Sequence, residues 1–149
     1  MASKGQLTGM LGVYLVAAEL SRQGFIAAVT SRNAAGADLL VTDPSCRNPW
    51  SVQVKTNRTR ANFWLVNPDA QTLCEERHMY VFVTIGDEKH PDEFIVVPSS
   101  HVSEKVLKET AKSGSVWYSF MRSDRLIIDR PGWELFDVPS PMAGLGGNS

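Results

Sequence analysis

Cysteine is almost missing from this chain: Cys46 and Cys74 are the two among 149 residues. Two thiols cannot form a disulfide framework, and a reducing compartment keeps both free. Long apolar runs are missing too. Nothing approaches the roughly 18 consecutive apolar residues that cross a bilayer, so no membrane helix is expected. The first residues, Met1-Ala2-Ser3-Lys4-Gly5-Gln6, lack the apolar core and small-residue cleavage site of a secretory signal. A cytoplasmic protein is therefore expected. The sequence shows no internal repeat, and its one late glycine run, Gly144 to Gly147, is too isolated to cradle a phosphate. Strong net charge is lacking as well: 15 Lys and Arg stand against 16 Asp and Glu, a net of −1. Taken over the whole chain, that balance does not point to nucleic acid.

What is present is an ordinary globular composition, 43% hydrophobic and 21% charged. The length suits one domain with its own core, expected over residues 1–138. The Pro-, Gly- and Ser-rich residues 139–149 have little to bury and are expected to form a flexible tail. Charge is distributed unevenly. Residues 1–62 carry seven Lys and Arg against three Asp and Glu, a net of +4, whereas residues 63–149 carry eight against thirteen, a net of −5. The basic half is thus the half to search for an anionic ligand.

Periodicity and punctuation outline the elements. Thr8 to Gln23 reads as a helix with Thr8 as N-cap and Gly24 at the C-cap, apolar round most of its circumference and so expected to be buried on several sides. Strands are expected over 25–30, 37–42, 50–56 and 63–66. Asn67-Pro68 would start a short helix ending near Arg77. Residues 78–85 and 93–97 give the strongest later strands. Ser99 or Ser100 would cap a helix running to about Lys112. Short strands are expected at 116–120 and 126–128, and residues 133–138 fit either a strand or a helical turn. This order of helices and strands indicates an α/β fold with a mixed central sheet.

The most informative stretch runs from Gly36-Ala37-Asp38 through Ser51-Val52-Gln53-Val54-Lys55-Thr56. Side chains alternate along a strand, so Gln53 and Lys55 share one face while Val52 and Val54 point to the other, into a core. A lysine set between β-branched residues is costly to bury. If the two strands pair as a hairpin, Asp38 comes close to both polar residues. Its carboxylate is a hard oxygen ligand for Mg²⁺, and the Gln53 amide oxygen and Val54 carbonyl can assist. Lys55, partly desolvated, would have an adjustable pKa and could stabilise charge on a phosphate. Arg58 and Arg60 follow within a few residues, and Arg32 and Arg47 flank the strands, so a local positive field surrounds Asp38. Phe63 or Trp64, just after this basic loop, is available to stack on bases while the other packs in the core. Cys74 and His78, four residues apart, offer two ligands at most and read as structural. Ser99-Ser100-His101 reads as a helix cap rather than a nucleophile.

These residues resemble the PD-(D/E)XK nuclease superfamily, which includes Holliday junction resolvases and restriction enzymes. The likeness spans roughly residues 8 to 98, with Tyr80-Val81-Phe82-Val83 and Phe94-Ile95-Val96-Val97-Pro98 similar to the later strands of small bacterial members. The resemblance implies a restriction-endonuclease-like core with helices flanking the mixed sheet, and a DNA endonuclease dependent on Mg²⁺ or Mn²⁺. It makes Asp38 the metal-binding aspartate, Gln53 the second metal-side residue and Lys55 the catalytic lysine. Thr56, Arg58, Arg60 and Arg32 would contact backbone phosphates, and a homodimer would serve two strands.

The chain departs from the pattern at two places. Gln53 replaces an acid, removing one negative charge. Resolvase-like members also carry a helix glutamate about eleven residues before the glycine that ends the helix, and here that position is Val13. Glu19, the one acid of the helix, lies about 120° round from Val13. It serves as second carboxylate only if the helix is rotated; otherwise it pairs with Arg22 or Gln23. The alternative function is a catalytically reduced nuclease-fold module that binds nucleic acid or a protein.

Overall fold

A capping box at Ser3 starts the first helix: the Gln6 N–H donates to the Ser3 hydroxyl at 3.2 Å and the Ser3 N–H donates to the Gln6 side chain at 2.9 Å. In the computed structural model, which describes residues 1–31 and 36–136, α1 therefore spans Lys4–Arg22 and begins a turn before Thr8. Ser-x-x-Gln was the signal, and it outcompetes the later threonine. Gly12, Val16 and Leu20, four residues apart, form the buried stripe. Leu7, Leu11 and Tyr14 are exposed. The helix thus buries one side rather than several, because it packs on a single sheet face.

That sheet has five strands in the order β1 (Ile26–Val29), β2 (Leu39–Thr42), β3 (Trp50–Asn57), β5 (His78–Thr84) and β6 (Glu93–Pro98). All neighbours are antiparallel except β3 and β5, so the central sheet is mixed, as expected from the element order. A parallel pair requires a crossover. Here the crossover supplies β4 (Phe63–Val66) and a 3₁₀ turn at Pro68–Gln71. Strand β4 pairs with β8 (Val116–Met121), and β8 with β7 (Leu107–Thr110), giving a second, three-stranded antiparallel sheet.

Each face of the central sheet is covered. On one side α1 and the 3₁₀ turn Trp133–Phe136 enclose Val16, Leu20, Val52, Val81 and Phe136. On the other, the second sheet and α2 (Ser99–Lys105) enclose Trp64, Tyr80, Phe82, Val102 and Phe120. All seven residues of β5 are buried, the mark of a strand covered on both faces.

Several local expectations change. The helix from Asn67-Pro68 is one 3₁₀ turn. Helix α2 stops at Lys105, because Val106 turns extended and Leu107 pairs with Ser119; sheet pairing overrides the helical stripe there. Its N-cap is Pro98, with no side-chain cap. Ser99 instead donates to the Glu75 carbonyl at 2.9 Å and accepts from the Glu75 N–H at 3.1 Å, pinning the segment that leads into β5. Residues 126–128 form no strand. The proposed tail, residues 139–149, lies outside the described residues.

Candidate active site

Strand pairing places Asp38. Its N–H donates to the Val52 carbonyl at 2.8 Å, and its carbonyl accepts from the Thr30 N–H at 3.0 Å. With the backbone held on both sides, the carboxylate reaches across to β3, where Oδ2 accepts from the Val54 N–H at 2.8 Å. That amide belongs to the residue between Gln53 and Lys55. Gly36, at φ 77°, allows the turn just before it.

Gln53 and Lys55 both point to the side covered by the second sheet, where their register partners on β5 are Tyr80 and Phe82. Burial pushes the Lys55 ammonium below its ordinary 10.5, and the charges of Asp38 and Asp69 pull it part of the way back. No carboxylate among the described residues comes within 4.0 Å of it. Asp69 was not singled out from sequence. It sits in the 3₁₀ turn after β4, and its charge also acts on His78 and Tyr80. No local motif marks it, since the crossover alone brings it near β3.

Behind Lys55 lies a buried polar line. Among the described residues, Gln53, 6% exposed, has no hydrogen-bond partner for its Oε1. Tyr80 is fully buried; its hydroxyl is also unpartnered among the described residues, and burial pushes the phenol up to about 12. His78 Nδ1 lies 2.6 Å from the Ser51 hydroxyl, Nε2 has no partner among the described residues, and burial lowers its pKa, which keeps the imidazole neutral near pH 7. A buried polar group without a partner costs about 1–3 kcal/mol. Tyr80→Phe removes such a hydroxyl while keeping the ring stacked on Phe82 at 5.7 Å. It is expected to raise stability by about 1 kcal/mol, read as a higher urea midpoint; a lower midpoint would show that the hydroxyl is satisfied.

On the α1 side, a cavity of about 540 Å³ opens beside Asp38, lined also by Met10, Val13, Tyr14, Val29 and Val54. Helix α1 presents Val13 to this cavity, not Glu19. Glu19 lies about 9 Å further along the helix axis and pairs with Arg22 at 3.9 Å. Among the described residues, no three His, Cys, Asp or Glu side chains assemble into a metal-binding group. The donors near Asp38 are its second carboxylate oxygen and the Gln53 amide oxygen, the latter enclosed. Such a set fits a weakly held, largely hydrated hard cation, since Mg²⁺ takes few protein ligands and keeps its waters.

Thr56 is not available to a phosphate. Its side chain is turned toward α1 against Gly12, and its hydroxyl is buried without a partner among the described residues. Arg58 and Arg60 are exposed on the loop after β3, with no ion pair among the described residues. Arg32 lies outside the described residues. Of the two aromatics after the basic loop, Trp64 is in the core, donating from its indole to the Val83 carbonyl, and Phe63 is exposed. Cys74 is exposed while His78 is buried on Ser51, so the pair forms no clip. Arg122, also unremarked in the sequence, is buried over the Trp64 ring, donates to the Ala61 carbonyl and pairs with Glu93.

No protein-family model matches the sequence, and no curated protein matches it. Among solved structures the chain is similar to Hjc, a Holliday junction resolvase from the archaeal hyperthermophile Archaeoglobus fulgidus, at 12% identity over 75% of this chain and 89% of that one, with a TM-score of 0.47. No helix among the described residues is long and apolar enough to cross a membrane.

Proposed function

We propose that this protein is a metal-dependent DNA endonuclease of the PD-(D/E)XK type, a single domain over residues 1–138 that hydrolyses phosphodiester bonds at Asp38, Gln53 and Lys55. One contact supports this reading above the others. The Asp38 carboxylate is fixed to the backbone amide between Gln53 and Lys55, and its charge reaches the desolvated Lys55 ammonium on the same strand as that amide. Asp38 would hold Mg²⁺ or Mn²⁺ through its second oxygen, with Gln53 in support once its side chain turns outward. The ion would supply Lewis-acid polarisation of the phosphoryl oxygen and a more acidic bound water. Lys55 stabilises the charge that develops on the phosphate, and Arg58 and Arg60 hold flanking phosphates, which makes binding salt-sensitive and weakly sequence-selective. Cutting both strands of a duplex would employ two copies.

A second reading, binding without cutting, draws support from Val13 at the helix position that faces Asp38 and from the enclosed Gln53 oxygen. Plasmid, single-stranded and branched DNA incubated with the protein in Mg²⁺ or Mn²⁺ separates the two. Cleavage that disappears in Asp38→Ala and in chelator is expected. Binding with no metal-dependent cleavage selects the second reading, and cleavage indifferent to Asp38→Ala removes the site assignment.

A further inference from the structure

The register of the second sheet collects an apolar surface on its outer face. Strand β4 alternates cleanly: Trp64 and Val66 enter the core, while Phe63 and Leu65 are 42% and 57% exposed. Leu65 and Leu107 flank Ser119 on either side in one row, and Phe63 pairs with Met121 in the next. Two residues from Ser119 on the same face of β8 is Trp117, 36% exposed. Trp50 and Trp64, by contrast, are buried. The outer face therefore carries a ring at each end with aliphatic side chains between them.

Its position relative to charge is what gives it a partner. Strand β4 is entered from the loop holding Arg58 and Arg60, and the start of β4 is tied to the end of β3, with the Asn57 side-chain amide donating to the Phe63 carbonyl at 2.8 Å. Asn57 and Lys55 are two residues apart on the same face of β3, about 7 Å along the strand. Phe63 thus stands at the end of the loop that carries both exposed arginines, of which Arg60 also lines a cavity with Asp92, Glu93 and Asp129. Glu109, the register partner of Trp117, is the acid that β4, β7 and β8 contribute to this face among the described residues, at its far end.

We infer that the outer face of the second sheet is a stacking platform for unpaired nucleobases, with Phe63 and Trp117 as its two ring anchors and Arg58 and Arg60 on the adjoining backbone. This rests on the nucleic-acid reading above and narrows it to DNA that exposes single-stranded bases. In a paired duplex the base faces are occupied by their neighbours, whereas every unpaired base offers a face to an aromatic side chain.

The test uses the full chain in EDTA, so that no cleavage intervenes, with a fluorescein-labelled mixed-sequence single-stranded oligonucleotide and the same strand annealed to its complement. Tighter binding of the single strand and quenching of indole fluorescence are expected. Phe63→Leu and Trp117→Leu keep an apolar side chain but remove the ring. Each is expected to weaken single-strand binding about tenfold and to leave duplex binding within twofold, with unchanged circular dichroism. Single-strand affinity unaltered in both variants, or equal loss for both DNA forms, overturns the platform. So does a dimer by sedimentation that either variant dissociates, which would make the face a contact between copies. The outcome is separable from that of the nuclease reading: cleavage with unaltered variants removes only the platform, and selective loss of single-strand binding without any cleavage removes only the enzyme.

Discussion

Replacing Lys55 by alanine is expected to lower the proposed DNA cleavage by about 10²–10³-fold, the usual effect of removing one preorganised donor from a transition state. The ammonium is partly buried, which depresses its pKa and would strengthen its field on the phosphate of the proposed substrate. DNA affinity should change much less than rate, because Arg58 and Arg60 remain. Lys55→Arg keeps a charge that does not titrate in the working range. The pH profile distinguishes a catalytic charge from a merely structural lysine. As pH rises through the depressed pKa, Lys55 loses its proton, so the wild type should lose activity at a pH below the 10.5 of an ordinary lysine. Residual Lys55→Arg activity should lack that limb. Stability moves the other way: between the folded pKa and 10.5 the unfolded chain binds more protons, so the native state gains stability as pH rises across that window. A cleavage rate unchanged in Lys55→Ala would remove the residue from the reaction.

Gly12→Ala is expected to destabilise the fold by about 1–3 kcal/mol, the range for overpacking a close contact. A Cβ built on Gly12 would stand 1.8 Å from the Thr56 hydroxyl oxygen and 2.9 Å from the Thr56 Cβ. Rotating Thr56 can move the oxygen but not the Cβ, so α1 must lift away from β3. Lifting it opens the cavity wall formed by Val13 and Met10, and cleavage should fall with stability. Thr56→Ala in the same chain should restore part of the loss, an interaction visible in a double-mutant cycle by urea unfolding. Additive effects would mean that helix and strand are not in contact there.

Much of the framework could be read before the structure. The continuous apolar run in β5 and the clean alternation in β4 are direct images of their surroundings, one strand covered on both faces and one on a single face. The shared face of Gln53 and Lys55, and the antiparallel pairing that brings Asp38 to β3, followed from period-two geometry plus one hairpin. Thr56 escaped because its hydroxyl suggested a phosphate contact, while its parity on β3 placed it with Val52 and Val54 on the α1 side. Asp69 and Trp117 escaped for a different reason. Both depend on the crossover folding back over the central sheet, and no local spacing encodes that return. Residues 107–110 have an acceptable helical pattern, so only their partner β8 decides that they are a strand.

Arg122 sets a timing for assembly. Its guanidinium holds the Ala61 carbonyl from 61 residues away in the chain and also reaches the Thr84 hydroxyl, with Trp64 beneath it. Until β8 has been synthesised and docked, the loop carrying Arg58 and Arg60 lacks this anchor. That arginine-bearing loop is thus fixed late, after the strands that bear Asp38 and Lys55 have been synthesised.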